Sequence, residues 1–126
     1  MPKPTTKIRW SEDSQPHDYP AALSYLTLLY PPKQAKAIVA KLKEATHTKF
    51  ASKDISRASA LPVLGISNSH VESDRNRIRN GERLSPILLV RDVVQGRLVI
   101  ADGYHRLCAV YSFDENALIR CKICGL

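Results

Sequence analysis

The chain has 126 residues, the size of one ordinary domain. With 44% apolar residues it can build a core, which excludes a disordered tail, and no apolar run approaches the roughly 18–20 residues of a membrane-spanning helix. The net charge of +7 favours anionic partners over a membrane interior.

Met1 to Lys7 is polar with no hydrophobic stretch behind it, so no signal peptide is expected and the cytoplasm is the expected compartment. Cys108, Cys121 and Cys124 are an odd set, expected to stay reduced there. The basic residues divide unevenly. Residues 1–63 hold nearly all the lysines, whereas residues 64–126 hold eight arginines and one lysine. Arginine grips phosphate or carboxylate with a planar fork, so the second half is the better place for an anion site.

In chain order, residues 1–18 are polar and proline-containing and read as an extended arm, with Trp10 as an anchor. Residues 20–30 read as a short, largely buried helix with Pro20 in its first turn, ended by Pro31-Pro32. In residues 32–45, Ala35, Ile38, Val39 and Leu42 fall on one helical face. Lys33, Lys36, Lys41, Lys43 and Glu44 form its solvated side. Residues 47–51 suit a strand, and residues 52–60 a short helix capped by Ser52. Leu61 to Gly65 is a turn. Ser69 followed by Glu72 has the pattern of a capping box. It opens a helix from about His70 to Arg79, with Val71 and Ile78 inward and Asn80-Gly81 as its stop. Residues 86–101 form a hairpin about Gly96. Asp102-Gly103 breaks it, and Tyr104 to about Phe113 is a helix with Leu107, Val110 and Tyr111 as its core face. Residues 118–123 make the last strand. This order predicts an α+β fold, a small mixed sheet flanked by helices. Residues 1–63 would be a helical extension of a core over 64–126, in one domain, because their helices are too few to bury a core alone.

The chemistry concentrates in Val99-Ile-Ala-Asp-Gly-Tyr-His-Arg-Leu-Cys-Ala-Val110. A strand ends at Ala101 and a helix begins near Tyr104. Gly103 lets the backbone turn sharply and a ligand come close. The first N–H groups of the helix lack internal partners and carry the positive end of the helix dipole, a place that attracts phosphate. His105 and Arg106 add side-chain donors. Asp102 repels phosphate, so its role is a helix cap, a magnesium ligand or a base.

This stretch resembles the signature of the ParB/sulfiredoxin superfamily over roughly residues 66–123. The resemblance rests on the order helix, Leu84-Ser-Pro-Ile-Leu-Leu-Val90, a glycine turn, then Asp102-Gly-Tyr-His-Arg-Leu-Cys-Ala109. It implies the ParB/sulfiredoxin-like fold and a box that holds nucleotide phosphates, with ATP or CTP as the ligand and Mg2+ accompanying it. Members include CTP-binding partition proteins, ATP-using sulfiredoxins and ADP-using serine kinases, so a nucleotide hydrolase or phosphotransferase is the implied activity. Carried over, Gly103 is the close-approach glycine and His105 and Arg106 the phosphate grips. Tyr104 lies beside the nucleotide, and Asp102 matches the aspartate that opens the box in kinase-like members. Asp102 and His105 are then the catalytic candidates. Arg77 and Arg83 belong to a segment near the nucleotide, although arginines ending a helix also suit its dipole.

Three departures limit the resemblance. Tyr104 stands where sulfiredoxins carry their catalytic cysteine, so sulfinic acid reduction is not expected. No helix-turn-helix follows the box, so DNA reading by that route is not expected either. Glu72 and Glu82 are the acids nearest in sequence to the place of the kinases' catalytic glutamate. The alternatives are a module that holds DNA backbone through the same basic surface, a partner-binding protein without ligand, and a metal-dependent nuclease, which would want more carboxylates than Asp102. Both a monomer and a homodimer fit the sequence. Cys121-Lys-Ile-Cys124 is a lone CxxC on a strand, where the two thiols point to opposite faces. His17, His47 and His70 lack metal spacing, so no metal site is assigned, although His70 would approach the box if its helix flanked the sheet. Trp10 and Tyr19 read as staples for the arm.

Overall fold

Ile87-Leu-Leu-Val90 is the most apolar run of the second half, and all four residues are 0% exposed at the centre of the sheet. Such a run is continuous rather than alternating because both faces of its strand are buried. The computed structural model describes residues 7–126, so the first six residues of the expected arm lie outside the described residues. The elements are β1 (Arg9–Trp10), α1 (Asp18–Leu26), α2 (Pro32–Glu44), β2 (His47–Ala51), α3 (Ser52–Ser59), α4 (Ser69–Arg79), β3 (Arg83–Leu84), β4 (Ile87–Asp92), β5 (Arg97–Asp102), α5 (Tyr104–Phe113) and β6 (Leu118–Gly125). The class is α+β. A four-stranded mixed sheet runs in the order β2-β6-β4-β5, and β1 and β3 form a separate parallel pair.

The central strand β4 pairs antiparallel with β5 and parallel with β6, and β6 pairs antiparallel with β2. Side chains alternate between two cores. Ile87 and Leu89 meet Ile55, Val71, Ile78, Leu107 and Ile119 beneath α3, α4 and α5. Leu88 and Val90 meet Ala22, Leu26, Ile38 and Leu42 beneath α1 and α2. Residues 9–63 thus supply an edge strand and the whole helical cover of one face. Fully burying each such Leu or Ile stabilises the fold by about 1.5–3 kcal/mol, so both layers hold the sheet.

Several local expectations are corrected. The first helix starts at Asp18 and ends at Leu26, and Leu28, expected within it, is 80% exposed. Pro20 does sit in its first turn. Ser52 does not cap α3: its hydroxyl donates to the carbonyls of Asp114 and Glu115, binding the helix to the α5–β6 loop. The cap of α4 is Asn68, one residue before Ser69. Its side chain accepts from the amides of His70 and Val71 at 3.0 and 3.2 Å, and asparagine serves at this position as well as serine does. Glu72 makes no capping-box return and pairs with Arg75 and Arg79. On α5 the buried residues are Leu107, Cys108, Ala109 and Val110, while Tyr111 is half-buried. Among the described residues no helix is long and apolar enough to cross a membrane.

Candidate functional site at the start of α5

β5 ends at Asp102, and Gly103 turns the chain into α5 at a φ of 105°. An L side chain rarely adopts that conformation. A Cβ at this position would also lie 2.4 Å from Ile87 Cγ2 and 3.1 Å from an Arg106 guanidinium nitrogen. The glycine is therefore demanded by the turn and by core packing. On its Cβ side the space is taken by Ile87 and Arg106, while the residue also lines the cavity described next. No side chain caps α5, and its first intrahelical bond runs from the Leu107 amide to the Gly103 carbonyl at 3.0 Å. The amides of Tyr104, His105 and Arg106 precede that bond and have no acceptor within the helix.

A cavity of about 430 Å³ opens at this helix end. Its walls are Asp102 to Arg106, His17 and Asp18 at the start of α1, Asp74 and Arg77 on α4, and Arg83 and Ser85 before β4. The box and its two flanking arginines, separate in sequence, thus share one cavity. Arg77 and Arg83 are exposed and make no ion pair among the described residues.

Arg106 departs from its expected role. Its side chain is only 13% exposed. One terminal nitrogen donates to the Ser85 carbonyl at 2.6 Å and to the Ser85 hydroxyl. The other donates to Asp102 Oδ2 at 2.7 Å and lies 3.9 Å from Asp18 Oδ1. The guanidinium is turned inward onto Asp102 and Asp18, the latter also 3.5 Å from His17 Nε2, and a buried charge is tolerated only when paired. Asp18 is 4% exposed, accepts from the Gln15 amide at 2.8 Å and receives the Ser85 hydroxyl at 2.5 Å. Two carboxylates thus share one guanidinium. Asp102 is pushed up to about 6, first by burial, against the pull of Arg106 and with a further push from Asp18. Asp102 is therefore not the cap of α5: its carboxylate belongs to Arg106.

His105 is half-buried with its ring 4.8 Å from that of His70 and tilted by 36°. Burial, and then His70, lower its pKa, while Asp74 opposes them. Asp74 is raised by burial, against the pull of Arg77, Arg106, His105 and His70. The Tyr104 hydroxyl donates to the Pro62 carbonyl and ties α5 to the turn after α3. Neither Glu72 nor Glu82 lines the cavity. The acids there are Asp18, Asp74 and Asp102. Asp18 went unassigned because the arm before α1 has no periodicity, although an aspartate just ahead of an apolar helix is a recognised start signal.

Asp18 and Asp102 do not suit a resident divalent cation, which takes about six oxygen ligands, because Arg106 and Ser85 already occupy them. Among the described residues no three His, Cys, Asp or Glu side chains are grouped to hold a metal. The CxxC thiols diverge as expected, Cys121 into one core and Cys124 against the other. Burial raises both, Cys121 to about 11. Cys108 is buried and its thiol is raised too. Comparison of the chain with models of known families, with characterised proteins and with solved structures gave no match.

Proposed function

We propose that the cavity at the start of α5 binds the phosphate groups of a nucleotide, the role implied by the likeness of the Asp102-Gly-Tyr-His-Arg106 box to the ParB/sulfiredoxin superfamily. The observation that carries this reading is the uncapped N-terminus of α5, opening on a cavity whose rim bears two arginines without an ion pair among the described residues. Unpaired amides and the helix dipole favour an oxyanion there. The cavity's 430 Å³ lies within the range of about 300–1,000 Å³ that small-ligand sites occupy.

The roles divide as follows. The amides of residues 104–106 and the guanidiniums of Arg77 and Arg83 take phosphate oxygens. His105 donates from its ring. Arg106 is a positioning residue: it holds Asp102 and the Ser85 loop, and only its backbone N–H faces the phosphate. Asp102, deprotonated above about pH 6, would be the base if a phosphate is hydrolysed or transferred. Magnesium would arrive on the nucleotide rather than reside in the protein.

Calorimetric titration with ATP, ADP, CTP and GTP, with and without magnesium, tests the reading. The expected result is saturable binding of at least one nucleotide, lost in the doubly substituted Arg77→Ala/Arg83→Ala protein while its fold survives. Absence of binding by all four would sink it. Phosphate release by wild type but not by Asp102→Asn would place the protein among nucleotide hydrolases.

A further inference from the structure

A second polar cavity lies across the β2–β6 edge of the sheet, and its residues take no part in the site at α5. In the antiparallel register His47 faces Lys122 and Lys49 faces Arg120. Side chains two apart on a strand share a face, so these four basic residues form one block. Like charges directly opposite destabilise a sheet, so the block needs compensation. Trp10 and the chain through Asp13 cross above it, enclosing with His47, Lys49 and Arg120 a cavity of about 730 Å³.

Some of these groups are held from within. The Lys122 ammonium, 5% exposed as a residue, donates to the Tyr19 hydroxyl at 3.0 Å and the Lys43 carbonyl at 3.1 Å. Arg120 donates from a terminal nitrogen to the Glu12 carbonyl at 2.7 Å. Asp13 lies 3.5 Å from both His47 and Lys122 and also accepts the Ser14 amide. The remainder is unusual. Ser14 Oγ, His47 Nε2 and Arg120 Nε are buried without a hydrogen-bond partner among the described residues, and elsewhere only Arg75 Nε shares that condition. Arg120 Nε can only donate, so the missing partner is an acceptor. Lys49 is exposed and faces the same cavity. Burial, Arg120 and Lys122 together lower His47, against the pull of Asp13. An anion beside it would reverse that balance.

We infer that the β2–β6 face is a second oxyanion site, which takes a phosphate group between His47, Lys49 and Arg120 with Trp10 as its wall. The wall also carries Glu12 and Asp13, but Asp13 already lies against His47 and Lys122, which leaves Lys49 and Arg120 to favour an anion over a cation. A phosphate, with several acceptor oxygens, can meet both Lys49 and Arg120 across the strand pair, where a chloride meets one. The phosphate comes either from a free small ligand or from a nucleic-acid backbone, and the test separates the two.

Trp10 is the only tryptophan, so its fluorescence reports on this wall. The full chain is titrated with sodium phosphate and with a short oligothymidylate, each against sodium chloride at equal ionic strength. The inference expects a saturable, phosphate-specific change in Trp10 emission. In Lys49→Gln, an exposed position whose loss leaves the fold intact, the affinity falls about tenfold, as for one charge-assisted hydrogen bond. His47→Gln weakens it similarly, and in the wild type the His47 ring proton shifts show its pKa rising as phosphate binds. Saturation by phosphate alone assigns a small ligand. Binding of the oligonucleotide at far lower concentration, falling steeply with salt, assigns a nucleic-acid backbone. No phosphate-specific change in either titration, or an undiminished one in Lys49→Gln, overturns the inference. The Arg77→Ala/Arg83→Ala protein keeps the Trp10 response, so the two sites fail or stand separately.

Discussion

The cavity at α5 and the face of β2–β6 handle charge in opposite ways. At α5 the side chains satisfy one another: Arg106 takes Asp102 and Ser85, and Ser85 takes Asp18. What is left for an anion is the backbone at the helix start and two arginines on the rim. On the β2–β6 face the backbone is consumed by the sheet, and the side chains are left over. A residue's charge therefore does not reveal whether it meets a ligand. Arg106 looks like a phosphate grip by type and is turned inward by placement, whereas Arg120, in an ordinary strand, keeps a buried donor without a partner among the described residues.

The comparison breaks most severely at the turn that makes the first cavity possible. Gly103→Val places a branched side chain at a φ of 105° and against Ile87. Strain and overpacking together destabilise the fold by about 3 kcal/mol or more, read by chemical denaturation, and the proposed nucleotide binding should be lost with it. Asp18→Ala comes next. It leaves the Ser85 hydroxyl and the Gln15 amide without their acceptor and Arg106 with one carboxylate fewer. A loss of about 2–3 kcal/mol is expected from breaking a buried polar network, with Asp18→Asn recovering part of it. If Asp18→Ala proves as stable as wild type, the acid floor is not what holds Arg106 inward.

The sheet was legible because its signals are long and redundant. Ile87 to Val90 with its return from Leu98 to Ala101, and the face made by Ala35, Ile38, Val39 and Leu42, leave few alternatives. The β1–β3 pair was not legible: two residues carry no period, and Arg9 meets Arg83 only in three dimensions. At the site, the turn at Gly103 and the helix beyond it followed from Asp-Gly after an apolar strand, whereas the cap offered by Asp102 did not, because Arg106 takes its carboxylate. Arg77 and Arg83, apart in sequence, line one cavity with the box. Asp18 was hidden because its partners, Ser85 and Arg106, are distant in the chain and its own neighbourhood is an irregular arm. The same distance hid the inward turn of Arg106. Residue types indicate what a side chain can pair with, and only the fold indicates which partner is nearer.

The rim arginines sharpen the contrast between structural and ligand-facing charge. Arg77→Ala and Arg83→Ala should each leave stability within about 0.5 kcal/mol of wild type, as exposed substitutions do. Each should weaken nucleotide binding about tenfold, the loss of one charge-assisted hydrogen bond. Arg106→Ala should do the reverse first and lose stability, because it abandons Asp102 and the Ser85 carbonyl. Denaturation and calorimetry on the same three proteins separate the two classes.

The smallest effect is the most specific to the paired floor. Asp102 titrates in the folded protein at about 6, above the ordinary 3.8. Between those values the native state holds a proton that the unfolded chain has released. The stability tied to that proton is therefore fully present below about pH 4 and is lost as pH rises to about 6. Asp102→Asn has no proton to lose and still offers Arg106 an oxygen. Across pH 4 to 7 the stability of wild type should fall relative to the variant by about 1 kcal/mol, a figure reduced for the partial solvent exposure of the carboxyl. Parallel curves would mean that the pull of Arg106 on Asp102 offsets the push of burial and of Asp18 in full.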